Sequence, residues 1–137
     1  MSETSKNTLR CVVVTPEETV LDTTADFIAL PLFDGEVGIA LHHSPMIGRM
    51  GYGELRIKSG GETNRFYVDG GFVQVADNVV SVLTNRSLAA ASVDTTAAEE
   101  QLKSALSKTS TGDEQLAIRD RTISQARAQL RVARKPK

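Results

Sequence analysis

The segment from Asp34 to Pro45, which reads D-G-E-V-G-I-A-L-H-H-S-P, brings an acidic side chain and two histidines close together in the sequence. Its two glycines flank Glu36, and this spacing favours a tight reversal because glycine adopts positive φ without steric cost. Pro45 ends a strand, since it has no N–H for a ladder. No nucleophile with a neighbouring base occurs here, so the segment predicts a binding surface that includes Glu36 and His43.

The neighbouring histidines do not indicate a metal site. Adjacent residues on a strand point to opposite faces, so His42 and His43 cannot share an ion. The chain has only these two histidines and one cysteine, Cys11, whose apolar surroundings predict a small strand residue. No P-loop spacing occurs either, and we expect neither an enzyme nor a resident cofactor.

A second group of chemically distinctive residues is basic and lies near the C-terminal end. Arg127, Arg131 and Arg134 are spaced i, i+4 and i+7, which places them on one face of a helix. By itself such a stripe is typical of a solvated surface. Lys135 and Lys137 extend the basic character to the end of the chain.

The charge distribution predicts two modules with different partners. Residues 1–85 carry a net charge of −5 and residues 86–137 a net charge of +4. Neither half fits nucleic acid, because the first is acidic and the second has no aromatic side chain to stack on a base. The N-terminus lacks the apolar core of a secretory signal, and no window approaches a membrane span, so we expect a cytoplasmic chain.

Up to residue 86 the sequence is typical of an antiparallel β-sandwich. Short runs rich in Val, Ile, Phe and Tyr alternate with turn signals such as Asp69-Gly70-Gly71. The expected strands are Leu9–Val14, Phe27–Leu32, Leu55–Lys58, Arg65–Val68, Phe72–Val75 and Val79–Leu83.

From residue 87 to 137 the composition changes to good helix formers and predicts an antiparallel two-helix hairpin. The first helix is expected to run to about Ser107, capped by Asp94 or by a Thr96–Glu99 capping box. The second is expected from Asp113 to about Arg134, stopped by Pro136. The expected apolar stripes are Ala98, Leu102, Ala105 and Leu106, and then Leu116, Ile123, Ala126, Leu130 and Ala133. Because these side chains are small, the hairpin should dock only weakly on the sandwich.

Together these parts resemble the epsilon subunit of bacterial and chloroplast F-type ATP synthases, called delta in mitochondria. The segment Gly35 to Pro45 resembles that family's G-E-x-G-x-x-P-x-H-x-P, with Leu41 in place of the first proline. Further similar stretches are Gly53–Ile57, Phe66–Phe72, Asn78–Leu83 and Ala128–Val132. The similarity covers roughly residues 8–134.

The resemblance implies a non-catalytic part of the rotor, a peripheral membrane protein on the cytoplasmic face of the bacterial inner membrane. The sandwich is then expected to bind the gamma subunit along one face and to rest on the c-ring. In that family the glutamate and histidine of the opening motif lie near the polar loops of the c-ring, which assigns Glu36 and His43 to this contact. Charged and titratable side chains suit such a wet interface.

The resemblance also implies a regulatory role for the hairpin. In that family the second helix can extend beside gamma and contact an acidic segment of the beta subunits, which blocks ATP hydrolysis. Arg127, Arg131 and Arg134 are the residues expected to make this contact.

Some members of the family bind ATP through an I/L-D-x-x-R-A motif at the start of the first helix. This chain has Val93-Asp94-Thr95-Thr96-Ala97-Ala98, so Ala97 replaces the arginine. Loss of the guanidinium removes a charge-assisted contact and argues against ATP binding by this subunit.

A different class of protein remains open from the residues alone. A free-standing β-sandwich that binds a sugar or peptide, with a helical oligomerisation tail, has the same order of elements. Exposed aromatic platforms would favour it, but the chain has no Trp and only Tyr52 and Tyr67.

Overall fold

The computed structural model describes residues 8–109 and 111–134. Eight strands come first: β1 (Leu9–Val14), β2 (Thr19–Ala25), β3 (Phe27–Leu32), β4 (Gly35–Ala40), β5 (Met46–Ser59), β6 (Glu62–Ala76), β7 (Val79–Leu83) and β8 (Ser87–Ala89). A 3₁₀ turn (Ala90–Ser92) then leads to helices α1 (Thr95–Ser107) and α2 (Asp113–Arg134). The predicted order, a β module followed by a helical hairpin, is confirmed. Lys135, Pro136 and Lys137 lie outside the described residues.

The strands follow the order β2-β1-β7-β6-β5-β3-β4, and β8 pairs with β6. All neighbours are antiparallel except β1 and β7, which run parallel. The predicted strands Leu9–Val14, Phe27–Leu32 and Val79–Leu83 have the observed bounds of β1, β3 and β7. Since β8 pairs with β6, the sheet continues past residue 86.

The prediction of a turn at Asp69-Gly70-Gly71 is wrong, because β6 runs through it without a break. Val68 is buried before these residues and Val73 and Val75 after them, so the set of inward-facing positions shifts by one residue. Gly70 and Gly71 have φ of 74° and 111°, which lets the backbone bend there. The long β5–β6 hairpin is therefore folded in two, and each half belongs to a different layer of the sandwich.

The core lies between these two layers. One layer contributes Cys11, Val13, Val80 and Val82, and the other contributes side chains of β3, β4 and the second half of β5. The latter are Ile28, Leu30, Ile39, Leu55 and Ile57, all at most 1% exposed. The alternation of β1, buried at every second residue, follows from the two-residue period of a strand.

The helical hairpin packs on the outside of one layer, through α2 on β5 and β6. Tyr67 and Val93 form a second core with Ala128 and Val132 of α2. Asp94 is the N-cap of α1 and accepts a hydrogen bond of 3.0 Å from the backbone N–H of Ala97. The alternative cap by a Thr96–Glu99 box is therefore wrong.

The predicted apolar stripes are only partly buried. Ala98, Ala105, Ile123, Ala126 and Leu130 are buried as expected. Leu106 and Leu116 are exposed, and both lie beside the turn that joins the two helices.

Candidate partner-binding surfaces

Glu36 lies on β4, a strand at one end of the sheet order. Its Oε2 atom is 3.2 Å from Nη1 of Arg56, and 53% of its side chain is exposed. It also lines a cleft of about 380 Å³ between the sheet and α2, to which Arg131 and Val132 contribute. Glu36 is therefore an exposed carboxylate that pairs with one arginine, Arg56, and lines the same cleft as a second, Arg131.

His43 lies in the loop just after β4 and is half-buried. Its backbone N–H donates 3.2 Å to the carbonyl of Ala40, and its ring Nδ1 is 2.7 Å from the carbonyl of Ser44. The neighbouring His42 has φ of 67°, an uncommon conformation for a residue with a side chain. The ring is thus oriented by a tight loop rather than by a second side chain.

The structure does not bring Glu36 and His43 together. Four residues of extended strand, roughly 13 Å at about 3.3 Å per residue, separate Glu36 from Ala40, where the loop of His43 begins. Both nevertheless lie along the same edge of the sandwich, one near the start of β4 and one just past its end. A flat partner along this edge can reach both residues.

The basic residues of α2 differ in their surroundings. Arg134 forms an ion pair with Glu99 of α1 across the hairpin. Within residues 8–109 and 111–134, neither Arg127 nor Arg131 forms an ion pair, and both are exposed. Of the predicted basic face, two guanidinium groups are available to a partner and the third is engaged by the hairpin itself.

The sheet contacts the C-terminal end of α2 through a partly buried charge pair. Nε of Arg65 is 2.5 Å from Oε2 of Glu54, and both side chains are at most 14% exposed. Nη2 of the same arginine donates 2.6 Å to the carbonyl of Val132. The sequence predicts a strand that begins at Arg65 and another that begins just after Glu54, but it does not predict the contact of Arg65 with α2, because that contact joins residues 67 positions apart.

A polar network holds the middle of α2. The hydroxyl of Tyr67 donates 2.8 Å to Oδ1 of Asp69, and Nε2 of Gln125 donates 2.9 Å to the same atom. Burial, together with the Asp69 carboxylate, raises the pKa of Tyr67 well above its ordinary value. The phenol therefore stays protonated and acts as the donor to Asp69.

An exposed apolar face was missed by the sequence reasoning. It lies on the outer side of the first half of β5, the second half of β6 and β7, where Arg49, Phe72 and Leu83 pair across the strands. We call it the apolar face, and its most exposed members are Phe33, Ile47, Phe72 and Leu83, each between 53% and 78% exposed. Alternation along the strands was visible in the sequence, but not which outer face the helices leave uncovered.

The apolar face continues into a groove of about 910 Å³ beside α2. The guanidinium carbon of Arg49 lies 4.4 Å from the centre of the Phe33 ring, which orients both side chains at the rim. Tyr52, Asp69 and Ser124 line the side of the groove nearest to α2. A contiguous apolar surface with a polar rim is typical of a protein-binding site.

Three further kinds of feature are relevant to function, namely a metal site, a membrane-spanning helix and the ATP motif. No group of three or more His, Cys, Asp or Glu that could hold a metal occurs within residues 8–109 and 111–134. In that same part of the chain, no helix is long and apolar enough to cross a membrane. Ala97, which replaces the arginine of the ATP motif, is exposed on the first turn of α1.

The sequence is similar to known ATP synthase subunits. Residues 8–90 match the family described as ATP synthase, delta/epsilon chain, β-sandwich domain. The ATP synthase epsilon chain of Rhodopirellula baltica is 50% identical over 126 residues, which are 92% of this chain and 98% of that protein. The epsilon chain of Symbiobacterium thermophilum is 42% identical over 89 residues, 64% of each chain.

Two solved structures share the fold. A chain of the Euglena gracilis mitochondrial ATP synthase, from its OSCP/F1/c-ring structure, has a TM-score of 0.72 at 23% identity and covers 90% of this chain and 75% of its own. A chain of the Tetrahymena thermophila central stalk and c-ring has a TM-score of 0.73 at 15% identity and covers 93% and 98%. The family match spans more than half of the chain and the first relative almost all of it, so the chain belongs to the ATP synthase delta/epsilon family.

Proposed function

We propose that this chain is the non-catalytic epsilon subunit of the rotor, which links the c-ring to the gamma subunit and restrains ATP hydrolysis through α2. The observation that carries the proposal is the apolar face on one layer of the sandwich, while the outer side of the other layer is covered by α2. We further propose that the subunit is attached peripherally at the cytoplasmic face of the membrane. A free-standing ligand-binding module is not favoured, because an epsilon chain matches this chain over 92% of its length.

The gamma subunit is proposed to bind the apolar face. Burying large apolar side chains such as Ile47 and Phe72 contributes about 1.5–3 kcal/mol each, which makes this surface the main source of affinity. Replacing Phe72 by Glu should abolish co-purification of gamma, because a carboxylate cannot be buried unpaired. Thr63→Glu, at an exposed position of the same strand, is the matched control. Retention of gamma by Phe72→Glu would place its binding site elsewhere.

The c-ring is proposed to contact the β4 edge through Glu36 and His43. The exposed carboxylate and the loop histidine lie on the same edge and can hydrogen-bond to polar loops of the ring. Glu36→Gln combined with His43→Ala should lower ATP-driven proton pumping in the reconstituted complex while the urea unfolding midpoint of the subunit changes little. Unchanged pumping by the double variant would contradict this contact.

Inhibition of hydrolysis is proposed to use Arg127, Arg131 and Arg134 once α2 has left the sandwich and meets the beta subunits. Arg134 must then exchange Glu99 for a partner carboxylate, which costs little because the pair is exposed. Replacing all three arginines by Ala should raise ATP hydrolysis by the assembled complex to the rate seen after deletion of residues 95–137. Arg121→Ala is the control, because Arg121 is exposed on the same helix but lies about 110° round the helix axis from these three arginines. If neither the triple Ala variant nor the deletion of residues 95–137 raised the hydrolysis rate, this role would be contradicted.

A further inference from the structure

Two turns meet at the end of the sandwich where β4 ends. One is the loop Leu41–Pro45, and the other is the turn Asp77-Asn78 between β6 and β7. Within the described part of the chain, His42, Asp77 and Asn78 are the non-glycine residues with positive φ, at 67°, 52° and 65°. The backbone of both turns therefore adopts a conformation that costs free energy unless contacts hold it.

Asn78 joins these turns. Its Oδ1 atom accepts a hydrogen bond of 2.7 Å from the backbone N–H of His42, 36 residues away. Its own carbonyl accepts 2.9 Å from the backbone N–H of Arg10 at the start of β1. Asn78 is among the few buried polar residues, at 9% exposure. One side chain thus attaches the loop of the histidines to the body of the sandwich.

We propose that Asn78 is the positioning residue for the loop Leu41–Pro45, and that it holds His43 in the orientation in which it meets the c-ring. The inference rests on the proposed contact of that ring with His43. The bond to Asn78 fixes His42 in its left-handed conformation, and the next residue continues from that fixed point. The N–H of His43 then reaches Ala40 and its ring reaches the carbonyl of Ser44.

The hydrogen bond between the Asn78 side chain and the His42 amide can be removed without disturbing the backbone of the turn. Asn78→Gly keeps the positive φ and the carbonyl that Arg10 uses, but it deletes the acceptor for His42. Asn78→Asp keeps an acceptor oxygen in the same place, and Asp also tolerates this conformation. Asp77→Gly changes the neighbouring turn residue, which is exposed, and serves as the matched control.

Hydrogen exchange at the His42 amide tests the attachment itself. Loss of one net hydrogen bond should speed exchange at this amide about two- to tenfold in Asn78→Gly. Asn78→Asp and Asp77→Gly should leave the rate unchanged. Unchanged exchange in Asn78→Gly would overturn the inference, because the loop would then be held by other contacts.

ATP-driven proton pumping by the reconstituted complex tests the consequence. Asn78→Gly should lower pumping per ATP hydrolysed to the level of His43→Ala, and Asn78→Asp should restore it. Normal pumping by Asn78→Gly beside defective pumping by His43→Ala would overturn the positioning role alone. Normal pumping by His43→Ala would instead overturn the proposed ring contact, and the positioning role with it.

Discussion

Arg65 of β6 donates a hydrogen bond of 2.6 Å to the carbonyl of Val132 in the last turn of α2. The last four carbonyls of a helix have no partner within the helix, so this guanidinium satisfies one of them. Its positive charge also lies at the negative end of the helix dipole. Glu54, on the neighbouring strand β5, forms an ion pair with this guanidinium and orients it. The pair therefore attaches the C-terminal end of α2 to the sheet.

Removal of the Arg65 side chain should weaken the attachment of α2 to the sheet. Arg65→Ala leaves Glu54 with one arginine instead of two and the Val132 carbonyl without its donor, which costs about 1.5–3 kcal/mol. Hydrogen exchange at the amides in the second half of α2 should therefore accelerate, while exchange in β1 and β7 should not. Asn64→Ala, exposed on the same strand, is the control. Equal protection of α2 in Arg65→Ala and the wild type would show that the apolar contacts alone hold the helix.

The shared acceptor of Tyr67 and Gln125 predicts coupling between the two residues. Both donate to Oδ1 of Asp69, so each donor keeps the carboxylate oriented for the other. Tyr67→Phe should cost about 0.5–1.5 kcal/mol of unfolding free energy. A double-mutant cycle with Gln125→Ala should give an interaction energy of about 0.5 kcal/mol or more. Strictly additive effects would mean that the two bonds form independently.

The fold of β6 should depend on Gly71. A Cβ atom at this position would lie 1.9 Å from the carbonyl oxygen of Leu83, and φ is 111°. Gly71→Ala should lower the unfolding free energy by about 3 kcal/mol or more, because strain and overpacking act together. Gly60 has a φ of 60° but open space around it, so Gly60→Ala should lower the unfolding free energy by only about 1–2 kcal/mol. Urea midpoints compare the two, and similar losses would contradict the role of the Leu83 contact.

Cys11 predicts a specific loss of stability in alkali. Burial, and next the Asp22 carboxylate, raise the pKa of this thiol to about 12. The unfolded thiol titrates near 8.5, so the folded state keeps a proton that the unfolded state releases. The contribution of this buried thiol to the unfolding free energy is fully present below about pH 8.5 and is lost as the pH rises toward 12. The loss is at most about 1.4 kcal/mol per pH unit.

The measurement compares the urea midpoints of Cys11→Ala and the wild type at pH 8 and pH 10. The wild type should lose more stability between the two pH values than the variant. In native protein at pH 8 the thiol should not react with a thiol reagent. An equal loss in both proteins would contradict the assigned cause.

Local signals predicted several elements with their observed bounds. β1 and β7 are short β-branched runs, and their composition alone favours strands. The cap of α1 at Asp94 depends on residues three positions apart, which a local pattern can specify. The resemblance to an epsilon subunit likewise depended on the order and spacing of motifs along the chain.

Local signals failed where distant residues decide the structure. β2 has the sequence T-V-L-D-T-T-A, and its polar residues do not indicate a strand. It forms one because it pairs with β1. Asp69-Gly70-Gly71 has the composition of a turn, but β6 continues through it because pairing with β5 holds both sides of the bend.

The sequence by itself determined the order of the two modules, most strand and helix positions and the family, since these depend on neighbouring residues. Only the tertiary structure decided which surfaces are free. It paired Arg134 with Glu99 and left Phe72 uncovered, because burial and ion pairing depend on contacts between residues far apart in the chain. The bond from Asn78 to His42 has the same origin, since 36 residues separate its two ends.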